Sequence, residues 1–371
     1  MNRQMIVLGL VSIITLWITN SELEKKKARL VAVVLAATIM GVFLGLRTWY
    51  LADNVVYHTQ FLRIGSNTLR QIIEEKPVNI ALRYYFHIIY TYCGKNFQIA
   101  LIGLAAFEMY CLGRIIYKYS SNIFLSFFTY IFLGFYYFLF SGLKQAAAMA
   151  FLLLAFMGVL ENKPIKFLLF TVMAGLFHAP SFIFIIAYPW AKMKVGRNYF
   201  LVLLGVLILV LTFRHQIVTM LGDMYYEERE FVSNGSIGGR FLAMAAIIIL
   251  SILVRRPTQA DTDYYKTFNM MVMAALLQSF SIFGNNFTRL SDYYFQFSIL
   301  FMPYVLTYRS AEQMKTTGFP ILRITRQSYA LVCLIYCLLG SLYYFHYTYD
   351  DLFSIDNSPF FWEERMSPWG S

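Results

Sequence analysis

Charged side chains are scarce in this chain. They make up 14% of the 371 residues, too small a share to clothe a soluble domain of this size. Cysteine is scarcer still, with only Cys93, Cys111, Cys333 and Cys337. Their spacing matches no metal motif, and each lies in or beside an apolar run. Buried small hydrophobes are therefore expected, not a metal site or a disulfide framework. Internal repeats and low-complexity tracts are lacking. So is any polar stretch long enough to fold alone between the apolar runs, so no soluble domain fits between them.

What is abundant is hydrophobic sequence. It makes up 59% of the chain, with a mean hydropathy of +0.57. Apolar runs of about 15–20 residues recur along the whole length, enough to cross a bilayer as helices. The composition predicts an all-α polytopic membrane protein, a single integral domain over 1–371. Met5–Thr19 resembles a signal peptide in hydropathy. No small-residue cleavage site follows it, and Lys25, Lys26, Lys27 and Arg29 do, so a retained anchor is expected.

Basic clusters set the orientation. Spans are predicted at Met5–Thr19, Leu30–Leu46, Phe97–Tyr117, Ile123–Leu139, Leu143–Leu160, Ile165–Phe177, Ser181–Trp190, Tyr199–Phe213, Phe241–Val254, Phe268–Phe283, Leu290–Thr307 and Ser328–Tyr344. That is about twelve, with both termini extracytoplasmic. The segments assigned to the cytoplasm, 308–327 the largest, hold 18 Lys and Arg against 6 Asp and Glu. The opposite segments, including 47–96, 214–240 and the tail 346–371, hold 13 of each. The net charge of +11 is thus a positive-inside bias, and no nucleic-acid role is needed. Within 47–96, Val78–Cys93 carries Arg83 and His87 one helical turn apart. It reads as a juxtamembrane helix in the outer interface.

Two apolar runs flank the turn Glu161-Asn162-Lys163-Pro164, and each ends in polar groups: Lys144-Gln145 on the first, His178 on the second. A helical hairpin places them on one side. Ile165–Phe177 covers only about 20 Å as helix. A break at His178-Ala179-Pro180 is therefore expected to line a cavity. The same topology brings Arg47, Asp53, Asn285, Asn286, Arg289 and Asp292 to outer ends of spans. Three cations, a histidine and carboxylates there suit a lipid diphosphate, whose charge grows as a sugar leaves. Arg47, Lys144 and Arg289 are the expected diphosphate ligands. His178 is the first choice of base, with Asp53 second. Gln145, Asn285, Asn286 and Asp292 would orient sugar hydroxyls or the cations. Plainer readings stand beside these. Arg47 is also a suitable interfacial anchor, His178 a partner for broken-helix backbone, and Arg289–Asp292 an i,i+3 ion pair. Glu108 reads as structural, near two cytoplasmic cations.

Four patches at these residues carry a resemblance. They are GLRTWYLADNVVYHTQF (Gly45–Phe61), FSGLKQAAAMAFLLLA (Phe140–Ala155), KFLLFTVMAGLFHAPSFIFIIAYP (Lys166–Pro189) and NNFTRLSDYYFQFSILFMPY (Asn285–Tyr304). In order and spacing they resemble the EpsG family of Wzy-like polysaccharide polymerases. Lys144 stands where that family has Arg, and Leu-Ala-Asp replaces its Gly-x-Asp approach. The resemblance implies a GT-C-like glycosyltransferase of the bacterial cytoplasmic membrane with a cavity open to the extracytoplasmic side. Its substrate would be an undecaprenyl-diphosphate-linked oligosaccharide, with no metal, no nucleotide sugar and no cofactor. Partners would be membrane lipids and the flippase and chain-length regulator of the same pathway. The rival readings are a single-sugar transferase or ligase on the same lipid class, and a transporter of lipid-linked sugar. Polar residues along a path through the membrane would favour the transporter.

Overall fold

A computed structural model describes residues 3–19, 24–48, 53–75, 79–213, 216, 219, 239–255, 257–283, 286–308, 329–337 and 339. Helices predominate, and no strand occurs among the described residues. The chain divides into two compact units. The first takes Met1–Leu154, Val172–Ala179 and Cys337–Ser371, and the second takes Ala155–Thr171 and Pro180–Tyr336.

The first unit begins with α1 (Arg3–Thr19) and α2 (Lys25–Gly45), which pack together. Then come α3 (Asp53–Gly65), α4 (Leu69–Glu75), α5 (Ile80–Cys93), α6 (Phe97–Tyr119), α7 (Ile123–Phe132) and α8 (Phe135–Phe138). The helices α9 (Leu143–Leu160) and α10 (Pro164–Phe177) each contribute to both units.

The spine of the first unit is the antiparallel pair α2–α6. Small residues let its backbones approach closely. A Cβ added at Gly45 would lie 3.3 Å from the Ile102 Cα, and one at Gly113 would lie 3.2 Å from Val33 Cγ1. Each helix pins the other's carboxyl end. Arg29 Nε donates to the Tyr117 carbonyl (2.5 Å) and its Nη2 to those of Ile116 and Ser120, while Gln98 Nε2 donates to the Gly45 carbonyl (2.5 Å). These satisfy carbonyls that a helix end leaves without partners. Outward, α2 shows Leu30, Val34 and Val42, and α6 shows Ile102 and Tyr110. Apolar side chains exposed along helices of this length suit lipid. Among the described residues α2, α6 and α9 are long and apolar enough to cross a membrane, and shorter apolar helices accompany them.

Several predicted segments differ in detail. Ile123–Leu139 is not one helix. Gly134, in the left-handed region (φ 86°), separates α7 from α8. Leu290–Thr307 likewise divides at Gln296–Phe297. The predicted break at His178 is present: α10 ends at Phe177, and a 3-10 helix, Ala179–Ile186, follows. The helix expected within Val78–Cys93 is α5, packed on α3, α4 and α6. Phe61, Phe86 and Phe97 lock it in place, with ring centroids 5.4–5.7 Å apart. It buries Arg83 with Leu82 and Phe86, while Ile88 and Tyr92 face outward. Cys93 is exposed, contrary to the expectation of burial that Cys111, Cys333 and Cys337 meet.

The second unit holds the turn of the α9–α10 hairpin. Lys163 N–H donates to the Gly158 carbonyl and Asn162 N–H to that of Val159, with Asn162 left-handed (φ 56°). This is a Schellman cap with Asn at its left-handed position, and Pro164 then opens α10. Beyond it lie α11 (Ala187–Lys192), α12 (Arg197–Thr212), α13 (Gly239–Val254), α14 (Thr262–Ser279), α15 (Asn286–Phe295), α16 (Ser298–Leu306) and a helix over 329–337. The centre of this unit is α14, which packs on α11, α13, α15 and α16. Its Asn269 Nδ2 donates to the carbonyls of Trp190, Ala191 and Met193, capping α11. Its buried Lys266 donates to the Val159 and Leu160 carbonyls and to Asn162 Oδ1, closing the α9 end with a cation where the helix dipole favours one.

Candidate functional site

The polar residues of the first unit gather where α2 ends and α3 begins. Arg47 lies two residues past α2 and is 1% exposed. Its Nη1 donates to the Leu44 carbonyl (2.5 Å), while Nε and Nη2 have no acceptor. Its Cζ stands 5.8 Å from the centroid of the Phe140 ring. Burial pushes the guanidinium down to about 10, which leaves it cationic at neutral pH.

The first turn of α3 ties this arginine to the start of α9. Asn54 Nδ2 donates to the Phe140 carbonyl (2.7 Å), and the Asn54 Oδ1 has no donor. One turn on, the Tyr57 ring lies 5.8 Å from Lys144 Nζ. Gln145 is buried beside that lysine. Asp53 is the first residue of α3, so its backbone heads the same turn, and its side chain lies outside the described residues. The structure thus places Arg47 and Lys144, two of the three expected diphosphate ligands, beside one helical turn. It adds Asn54 and Tyr57, which the sequence reading missed. Asn54 directly follows the Asp53 position and Tyr57 lies one turn beyond it, which was the available signal.

Glu108 requires a correction. It does not sit with cytoplasmic cations: Arg114 and Lys118 are exposed and meet Tyr110 and Tyr119. The Glu108 side chain is 2% exposed in the middle of α6, and neither carboxylate oxygen has a hydrogen-bond partner.

His178 follows the last residue of α10 and is buried. Its N–H donates to the Ala174 carbonyl (2.9 Å), and the next amide, Ala179 N–H, donates to Asn79 Oδ1 (3.2 Å). Asn79, left-handed at φ 57°, stands just before α5. The neighbouring Phe177 ring packs on Phe151 at 5.3 Å, and Phe151 on Phe107 at 4.6 Å. Phe151 is two turns of α9 past Lys144, about 10 Å along the axis. The hairpin therefore carries His178 and Lys144 toward the same end, with His178 roughly level with Phe151 rather than with the lysine.

In the second unit, α15 carries Arg289 and Asp292 one turn apart. Asp292 has a partner besides that i,i+3 arginine. Its Oδ1 pairs with Arg240 Nη2, and the Arg240 guanidinium lies 5.2 Å from the Phe295 ring centroid. Arg289 is a second cation acting on the same carboxylate. Arg240 was missed because 52 residues separate it from Asp292. Its only local signal is a lone cation opening an apolar run. Asn286 begins α15 with its side chain outside the described residues, as is the whole of Asn285.

A family model described as EpsG family matches residues 30–354, most of the chain. The chain belongs to the EpsG family. This membership, with the apolar helices, makes it a membrane protein with a polysaccharide-polymerase-like role. No curated protein and no solved structure matches the chain.

Proposed function

We propose that this EpsG-family protein is a polysaccharide polymerase acting on undecaprenyl-diphosphate-linked repeat units at the extracytoplasmic face of the cytoplasmic membrane. The observation that supports the reading most is the gathering of Arg47 and Lys144 around the first turn of α3, with the buried guanidinium keeping two N–H groups unpartnered. A diphosphate presents acceptors to such donors, and a dry setting strengthens the attraction.

The reaction proposed is glycosyl transfer. A sugar hydroxyl of the acceptor attacks the anomeric carbon of the lipid-linked donor, forming the new glycosidic bond. The bond from that carbon to the phosphate oxygen breaks, and its electron pair leaves with undecaprenyl diphosphate. The hydroxyl proton passes to His178, or to Asp53 as second choice. Arg47 and Lys144 stabilise the charge that grows on the leaving diphosphate, and Arg289 keeps the diphosphate role the resemblance implies. Gln145, Asn285 and Asn286 orient hydroxyls. Asp292 is assigned to hold arginines, in keeping with its pair to Arg240. The architecture proposed is GT-C-like with about twelve spans. The chemistry uses the chain's own cations in place of a metal, and the flippase and chain-length regulator of the pathway are the expected partners.

Purified protein supplied with a defined lipid-linked repeat unit, and no nucleotide sugar, tests this reading. A ladder of products is expected. Translocation of the lipid with no new glycosidic bond would make the protein a flippase instead.

A further inference from the structure

Asn54 has no task in the proposed chemistry, yet its carboxamide is fully buried and only half used. Its Nδ2 donates to the Phe140 carbonyl at 2.7 Å, while Oδ1 has no donor. That bond also settles which end of the amide is which, because a carbonyl accepts only from the nitrogen. A buried acceptor without a donor is costly. Over the ring of the same Phe140 stands Arg47, whose Cζ is 5.8 Å from the centroid and whose Nε and Nη2 lack acceptors. Two orphans of opposite kind, an acceptor and a pair of donors, thus flank one residue. Both are held in place: Asn54 by the first turn of α3 and the Phe140 carbonyl, Arg47 by its Nη1 bond to Leu44. A ligand that satisfies both carries acceptor oxygens and an O–H donor close together. An ionised lipid diphosphate alone has only acceptors. The same diphosphate joined to a sugar has both.

We propose that Asn54 is a sugar-binding residue: its Oδ1 accepts a hydrogen bond from a hydroxyl of the sugar joined directly to the diphosphate. The inference rests on Arg47 being a diphosphate ligand. One residue, Phe140, separates the two groups, so the sugar that reaches Asn54 while its phosphates meet Arg47 is the first of the repeat unit. The bond that breaks in transfer then lies between them. Asn54 therefore tells donor from product. The intact donor pairs Oδ1, and the departing lipid diphosphate, stripped of its sugar, leaves it unpaired. The product loses one contact at the moment it must leave, with no change in the hold of the cations.

The test uses the full chain in lipid nanodiscs with two probes, undecaprenyl diphosphate and undecaprenyl-diphosphate-linked glucose. The affinity of each is measured by direct binding. Asn54→Ala is expected to weaken the glucosyl lipid about tenfold, the usual consequence of leaving a polar partner unpaired, and to leave the bare lipid at its native affinity. Asn54→Ser keeps a polar group in the buried turn, is too short to reach the sugar, and should do the same. A merely structural role would weaken both lipids equally, through a displaced Phe140, and that result overturns the inference. So does native affinity for both. Monodeoxy analogues of the glucosyl lipid add a measurement on the native protein: one should bind about tenfold less tightly than the parent, and lose nothing further on Asn54→Ala. Equal binding of every analogue by the native protein overturns the inference even where neither variant folds. Arg47→Met tests the premise apart from it. Weakened binding of both lipids upholds the diphosphate reading, and native affinity for both removes that reading and the inference with it.

Discussion

Arg47 carries the largest share of the proposed chemistry because of what its guanidinium does not bond. A lysine there would keep the charge and lose the planar pair of donors. Arg47→Ala is expected to lower polymerisation by about 100-fold or more, in the range found for removing a donor aimed at developing negative charge. Arg47→Lys should fall between that variant and the native protein. Turnover of a defined lipid-linked repeat unit measures both, and native rates in both would remove Arg47 from the mechanism. The arginine that closes on Asp292 has a different character. Arg240→Met leaves the Asp292 carboxylate without its ion-pair partner, so its first effect should be on stability, by about 1–3 kcal/mol. Thermal unfolding in detergent checks this, and an unchanged melting temperature would contradict it.

Among the elements, the α9–α10 hairpin has the least room for change. A Cβ at Gly158 would come 2.7 Å from the Phe167 backbone nitrogen and 3.0 Å from its Cα. Backbone cannot swing aside as a flexible side chain can. Gly158→Ala should therefore destabilise the protein by about 1–3 kcal/mol, the usual cost of overpacking. Lys266→Met should do the same by a different route, leaving the buried Val159 and Leu160 carbonyls without their donor. Denaturant titration of each variant measures these losses, and native stability in either would mean that the hairpin yields where its packing says it does not. This hairpin was legible in sequence because its signals are local: two apolar runs, an Asn for the left-handed position and a Pro to open the next helix. The division of Ile123–Leu139 was less legible. An apolar run looks the same whether straight or bent, and Gly134 alone marked the bend. The pair of Asp292 with Arg240 was beyond reach, since it joins different helices and leaves no periodic trace.

For the molecule as a whole, composition alone separated the class, because a chain with this little charge and this much exposed apolar helix has no soluble solution. Orientation rests on the basic clusters. Single cysteines introduced in a cysteine-free background check it: Lys194→Cys should react with a membrane-impermeant thiol reagent only after the membrane is opened, and Asn67→Cys should react in intact cells. The reverse pattern would invert the topology and remove the extracytoplasmic reaction. The location of the substrate is the deeper matter, and photo-crosslinking addresses it most directly. A benzophenone amino acid replaces Tyr57, whose ring faces Lys144, and a radiolabelled lipid-linked repeat unit is irradiated with the protein. The account predicts an adduct at position 57 that undecaprenyl diphosphate competes away and Arg47→Ala abolishes. Labelling at the lipid-facing Tyr110 with none at position 57 would contradict it.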